Sequence, residues 1–363
     1  MTVHNALIYE LEEALSHGSA ERRAKTLRRI TDLFVFGSSQ FSKEHIAVFD
    51  NVFKHLISDI EQSARATLAD RLAALPHAPP QVIRTLAFDD AIDVAGPVLT
   101  RSEQLDNVTL VENAKTKSQQ HLLAISRRKV IAETVTDVLV ERGNRDVALS
   151  AAQNAGAKFS ETGYVRLVRR SEGDDELAQV VGSRPEIPRQ QFLKLLTSAS
   201  SAVRQALEAA NPGYAHQVRD VVAEVASAIQ LKTATASRDY AAAQALVESL
   251  QAAGRLAEGN IAAFARAGKF EETAVALAVM CGVPIDVVER AMVQDSAETV
   301  LIVAKAIGLS WATTQAVLML SADKGGMPGH ILEQCRMVYG KLKRETALQV
   351  VKFHQSRKAA EPI

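Results

Sequence analysis

The stretch IAETVTDVLVERGNRDVALSAAQNAGAKFSETGYVRLVRR, residues 131–170, decides the fold. Its first run, IAETVTDVLVER, stops at Gly143, a residue type favoured just past a helix end. Asn144 follows as an N-cap for RDVALSAAQ, since its side-chain oxygen can accept from an opening amide that has no partner inside the helix. Asn154 to Gly156 closes that helix. Ser160 then caps ETGYVRLVRR, Gly173 ends it, and Asp174 or Asp175 opens ELAQVVGS. Each helix spans two to three turns, and the two glycine stops lie 30 residues apart. Gly143 and Asn154 are expected in the left-handed backbone region common at helix C-termini.

Outward from this stretch the signals stay helical. Towards the N-terminus, Ser19 is a candidate N-cap for a helix with Leu27, Ile30, Leu33 and Phe34 on its inner face. A second helix follows Ser42, with Ile46, Phe49, Phe53 and Leu56 inward, and a third covers 61–75. Prolines at 76–80, 97, 185–188, 212, 284 and 328 mark candidate joints. Beyond Pro212, Val218, Val222, Val225 and Ile229 form a stripe with Val221 beside it, on a helix that weakens at KTATASRD. A clear internal repeat follows, in which ALAVMCGVPIDVVERAM matches IVAKAIGLSWATTQAVL and superposes Gly282 on Gly308. The loop DKGGMPG leads to one last helical stretch ending near Arg357.

Weaker echoes set Asp93-Val94-Ala95 on Asp146-Val147-Ala148, and Ile125, Arg128 and Ile131 on Val181, Arg184 and Ile187. Short helices that cannot bury their apolar faces alone and recur in this way are the signature of an α-solenoid. The expected fold class is therefore all-α: a solenoid of helical repeats followed by a C-terminal helical domain. The expected segments are N-terminal helices over 1–75, helical repeats over 76–211 and a C-terminal helical-repeat domain over 212–363.

Composition agrees. Ala supplies 58 of 363 residues while Phe, Trp and Tyr supply 11, 1 and 5, which favours close helix packing over aromatic-rich sheets. Lys plus Arg and Asp plus Glu are 42 each, so no overall field draws in nucleic acid or an anionic membrane. The N-terminus does not read as a signal peptide, and the longest apolar run, 274–284, is too short to span a bilayer. Cys281 and Cys335 lie too far apart for a C-x-x-C site; both are expected as core thiols in a reducing compartment, which places the protein in the cytoplasm.

No Walker A, G-x-G-x-x-G, G-x-S-x-G or H-E-x-x-H pattern occurs, which removes the usual phosphate cradle, nucleophile elbow and zinc helix. His55 with Asp59, and Glu13 with His17, read as surface polar pairs, because two ligands do not close a metal site. No catalytic residue, metal or cofactor is expected. The most suggestive cluster is basic: Arg166, Arg169 and Arg170 on one helix, Arg127, Arg128 and Lys129 before it, and Arg184 and Arg189 after it. On a solenoid, guanidiniums at equivalent positions line one surface and can grip carboxylates or phosphates in two-pronged fashion. The bland reading is a set of solvated, salt-bridged faces. Arg166-x-x-x-Arg170 also imitates half of a cyclic-dinucleotide motif of β-barrel receptors, whose second half is absent.

The strings DDAIDVAGPVLTRSEQL (89–105), HLLAISRRKVIAETVTDVLVERGNRDVALSAAQNAGAKFSETGYVRLV (121–168) and ALQVVKFHQSR (347–357) together resemble an alphaproteobacterial family catalogued as a domain of unknown function. That resemblance covers roughly residues 20–358 and implies HEAT-like helical repeats, with no activity or catalytic residue to carry over. The expected function is a non-enzymatic interaction scaffold in bacterial signalling or regulation, binding a protein or peptide through Arg127, Arg128, Arg166, Arg169, Arg170 and Arg184. Self-association through the 214–230 helix is a further expectation. The alternative is a HEAT-like nucleic-acid binder or DNA glycosylase-type enzyme, against which the zero net charge and single Trp speak.

Overall fold

The computed structural model describes residues 20–38, 40–57, 60–210, 215–236, 238–293, 297–322 and 327–359. Among them are twenty-one α-helices and no strand; one isolated parallel bridge joins Ile131 to Ala157. The candidate cap Ser19, and the pairs Glu13–His17 and His55–Asp59, involve positions outside the described residues. The chain forms two compact units, Met1–Val181 and Gly182–Ile363.

The first unit opens with Ala20–Gly37 (α1) and Lys43–Ile57 (α2), which meet through Phe34, Phe41, Phe49 and Phe53, with ring centroids 5.0–6.2 Å apart. Leu33 does not join them. It is exposed, and Thr31, whose hydroxyl donates to the carbonyl of Leu27, takes the buried place. A polar side chain can lie inward where the helix's own backbone satisfies it.

Eight short helices follow: Gln62–Leu72 (α3), Pro80–Ala87 (α4), Ile92–Arg101 (α5), Asn107–Thr116 (α6), Gln119–Ser126 (α7), Glu133–Arg142 (α8), Arg145–Gln153 (α9) and Glu161–Arg170 (α10). They pack in two series, α1 on α3 on α5 on α7 on α9, and α6 on α8 on α10. Their buried sides carry Val, Leu, Ile and Ala, among them Val82, Val94, Leu99, Leu122, Leu139, Val147 and Leu167. Asn144 and Ser160 cap α9 and α10 as expected, accepting from the amides of Val147 and Gly163. Asp174 likewise accepts from the amide of Leu177.

Three expectations fail here. Pro97 is not a joint but lies inside α5, since its missing amide disturbs one turn without ending the helix. Gly143 is extended, at φ −64° and ψ 148°, and Asn154 also lies outside the left-handed region, at φ −76° and ψ 110°. Glycine stands at 143 for space: a Cβ there would lie 2.4 Å from the carbonyl oxygen of Leu139 and 2.5 Å from Val147 Cγ1.

The second unit contains the long helices Arg189–Ala210 (α12) and Ala215–Ala236 (α13); the short helix Asp175–Gly182 (α11) precedes them. After them come Arg238–Ala252 (α14), Glu258–Arg266 (α15), Phe270–Cys281 (α16), Ile285–Val293 (α17), Glu298–Ile307 (α18) and Trp311–Ser321 (α19). One core runs through α14 to α19, built on Val247, Ile261, Ala274, Leu277, Met292, Leu301 and Val317. The two aligned segments match in geometry at their glycines. Gly282 (φ 66°) and Gly308 (φ 79°) are both left-handed, and the amides of Val283 and Leu309 close matching bonds to the carbonyls of Ala278 and Ala304.

Here α13 runs through KTATA instead of weakening, and the last stretch is two helices, Gly329–Lys341 (α20) and Arg344–Ala359 (α21). Cys335 is buried, while Cys281 is only half-buried.

Candidate functional site

Every short helix ends with four carbonyls that lack an intrahelical partner and carry the negative end of its dipole. In the first unit a side chain from the end of the helix two places on supplies a donor. Arg101 donates to Asp70 O of α3, Asn113 to Ala87 O of α4 at 2.7 Å, and Arg128 to Leu99 O and Ser102 O at the end of α5. Arg142 reaches Ala114 O of α6, Asn154 bonds Ser126 O and Arg128 O after α7, and Arg170 bonds Val140 O of α8 at 2.6 Å. Six successive helices are capped in this way, by donors 26 to 31 residues further along.

This ladder takes up much of the basic cluster. Arg128 is buried, and desolvation pulls its guanidinium below the usual arginine range. Arg166 lies 3.2 Å from Glu141 and reaches Asp137 O, while Arg170 is bound to Val140. Arg169 is exposed on the same helix. Arg184 belongs to the other unit, buried and 3.7 Å from Glu186. Arg166 and Arg170 thus stand beside α8, whereas Arg127 stands beside α5.

Arg127 is exposed at the rim of a groove of about 370 Å³ between α5 and α7. Ile92, Pro97, Leu123 and Ala124 give it an apolar floor, and Arg101, paired with Asp70, forms another part of its rim. Pro97 removes an amide from α5, and Gly96 beside it leaves room that a Cβ would share only with Ile92.

In the second unit Arg189 and Glu289 form a buried two-pronged ion pair. Gln230 Nε2 donates to the same carboxylate at 2.7 Å, and the guanidinium carbon of Arg189 sits 5.3 Å from the centroid of the Tyr240 ring. The Tyr240 phenol is pushed up, first by burial and then by the charge of Glu289. Every prong has a partner, so this network joins α12, α13 and α17 and offers no open coordination to a ligand. Among the described residues no group of three His, Cys, Asp or Glu converges as a metal site would require, and no helix is long and apolar enough to cross a membrane.

A family model described as an uncharacterised protein conserved in bacteria, DUF2336, matches residues 94–352. The chain belongs to the DUF2336 family. No curated protein and no solved structure matches it. The DUF2336 match takes in most of the carbonyl-capping ladder, the groove-lining residues from Gly96 onward and the buried pair.

Reading the sequence of this DUF2336 chain missed Asn113, Arg142 and the long-range bonds of Asn154. A signal was present: Arg101, Arg128 and Asn154, and in parallel Asn113, Arg142 and Arg170, recur at steps of 26 to 29 residues near helix ends.

Proposed function

We propose that this chain is a non-enzymatic interaction scaffold. Its short helices form a HEAT-like α-solenoid, and a protein partner docks an acidic, partly apolar segment in the groove between α5 and α7. The groove itself carries the reading: an apolar floor of Ile92, Pro97, Leu123 and Ala124 is edged by the exposed guanidinium of Arg127. Apolar contact supplies affinity there, and a charge at the rim supplies orientation and rate of encounter. The capping ladder supports the same reading, because Arg128 and Asn154, engaged with the carbonyl ends of α5 and α7, hold the two helices that shape the groove. Regulation of a bacterial pathway and a cytoplasmic setting belong to this proposal, the latter resting on two cysteines without a disulfide.

Photo-crosslinking in the native cell tests it. A photoreactive residue at Leu123 should trap one protein partner, and adding Arg127→Glu should abolish the adduct without changing helicity. An adduct equally strong with Arg127→Glu, or none above that from a probe on the exposed face of α8, would remove the groove from the function.

A further inference from the structure

The helices α12 and α13 run antiparallel as a hairpin. Arg219 meets Glu208 at 2.9 Å near their connection, and Arg189 donates to Gln230 O at the opposite end. At 22 residues each they are the longest helices among the described residues. Leu196, Ser200 and Arg204 of α12, and Arg219, Val222 and Ala226 of α13, line the cleft between them. Val203, Leu207, Val221, Val225 and Ile229 are each between 40 and 57 % exposed.

Their positions follow one rule. Val203 and Leu207 stand one before and three after the cleft residue Arg204; Val221 and Val225 stand likewise to Val222, and Ile229 stands three after Ala226. At about 100° per residue each is turned roughly 60–100° from the cleft in the same rotational sense. In two antiparallel helices that shared sense brings both stripes to the same side of the hairpin. The result is one apolar face, of a kind that marks an interaction surface when contiguous.

We infer that a second copy of this chain covers that face, so that two hairpins form a four-helix interface about a two-fold axis near Val225. The stripe is its own complement. An antiparallel pairing centred on Val225 sets Val221 against Ile229 of the second copy and Val225 against its own counterpart, the self-matching a two-fold interface requires. The footprint is sufficient: two helices of about 33 Å, side by side across about 20 Å, present roughly 660 Å² per copy, near the roughly 800 Å² per partner of a stable interface.

The test uses the full chain. Light scattering after size exclusion should give twice 39.2 kDa for the wild type, and 39.2 kDa for Val221→Glu with Val225→Glu at unchanged circular dichroism. Because two glutamates could also harm folding, Val225→Cys gives a second readout. Paired across the axis, its thiols fall within disulfide reach, so mild oxidation should produce a covalent dimer that the wild type does not form. A wild-type monomer at about 100 μM, a dimer that survives both glutamates, or a Val225→Cys dimer that fails to cross-link under oxidation would each overturn the inference.

Discussion

Arg170 and Val140, thirty residues apart in sequence, meet at 2.6 Å, the guanidinium Nη1 of the first donating to the main-chain oxygen of the second. The carbonyl belongs to the last turn of α8, where the helix dipole is negative, so a cation is favoured there over a neutral donor. The same relationship, with Arg or Asn as donor, recurs from α3 to α8. It gives short helices a partner for ends that their own turns leave unpaired.

The glycines should rank by the contact each avoids. A Cβ at Gly156 would fall 1.8 Å from the carbonyl oxygen of Lys129, so Gly156→Ala should destabilise most. Gly143→Ala should come next, its Cβ meeting backbone at 2.4 Å. Gly308→Ala has room but must hold φ at 79°, at a cost of about 1–2 kcal/mol. Urea midpoints for the three variants check the order; Gly308→Ala as the worst would reverse it.

The buried pair of the second unit should behave as a unit. Glu289→Ala leaves the Arg189 guanidinium without its carboxylate, and the expected loss is about 3–5 kcal/mol. Arg189→Met combined with Glu289→Leu removes both charges and should lose less than Glu289→Ala alone. Denaturant unfolding of the single and double variants measures the coupling, and simple additivity would argue against it.

Acid should weaken one defined contact. Glu258 accepts from the hydroxyls of Ser310 and Thr313 and from the amide of Ser310, which hold its carboxyl below the usual range. A carboxyl whose value is lower in the folded than in the unfolded chain stabilises above the ordinary glutamate value of about 4.3, and that contribution fades as pH falls through the folded value. The urea midpoint of Glu258→Gln should therefore lie below the wild type at pH 7 and converge with it as the pH falls below the folded value. A constant difference across that range would contradict the assignment.

What the sequence made legible was local. Asn144 and Ser160 cap amides three residues away, and Gly282 and Gly308 end helices within their own last turns, so residue type and spacing suffice. The partners of Arg128 and Arg170 lie 26 to 30 residues back, and a basic residue at a helix end looks alike whether it faces solvent or a neighbouring carbonyl. Gly143 escapes a reading by residue type for the same reason, because the atoms that require glycine include Val147 of the next helix. The groove at Arg127 joins residues of α5 and α7 that only packing brings together, and the outward turn of Val221 and Val225 is fixed by which side of α13 meets α12.

Thermal unfolding of Arg170→Gln beside Arg127→Gln tests the central claim, that side chains from one helix hold the carbonyl ends of the helix two places before. Loss of a charged hydrogen bond to a partly buried carbonyl is worth roughly 1.5–3 kcal/mol, and at about 2–4 °C per kcal/mol Arg170→Gln should lower the midpoint by roughly 3–12 °C. Arg127→Gln, at the exposed rim of the groove, should shift it by less than about 2 °C. Equal midpoints for the two variants, or a larger drop for Arg127→Gln, would contradict the ladder.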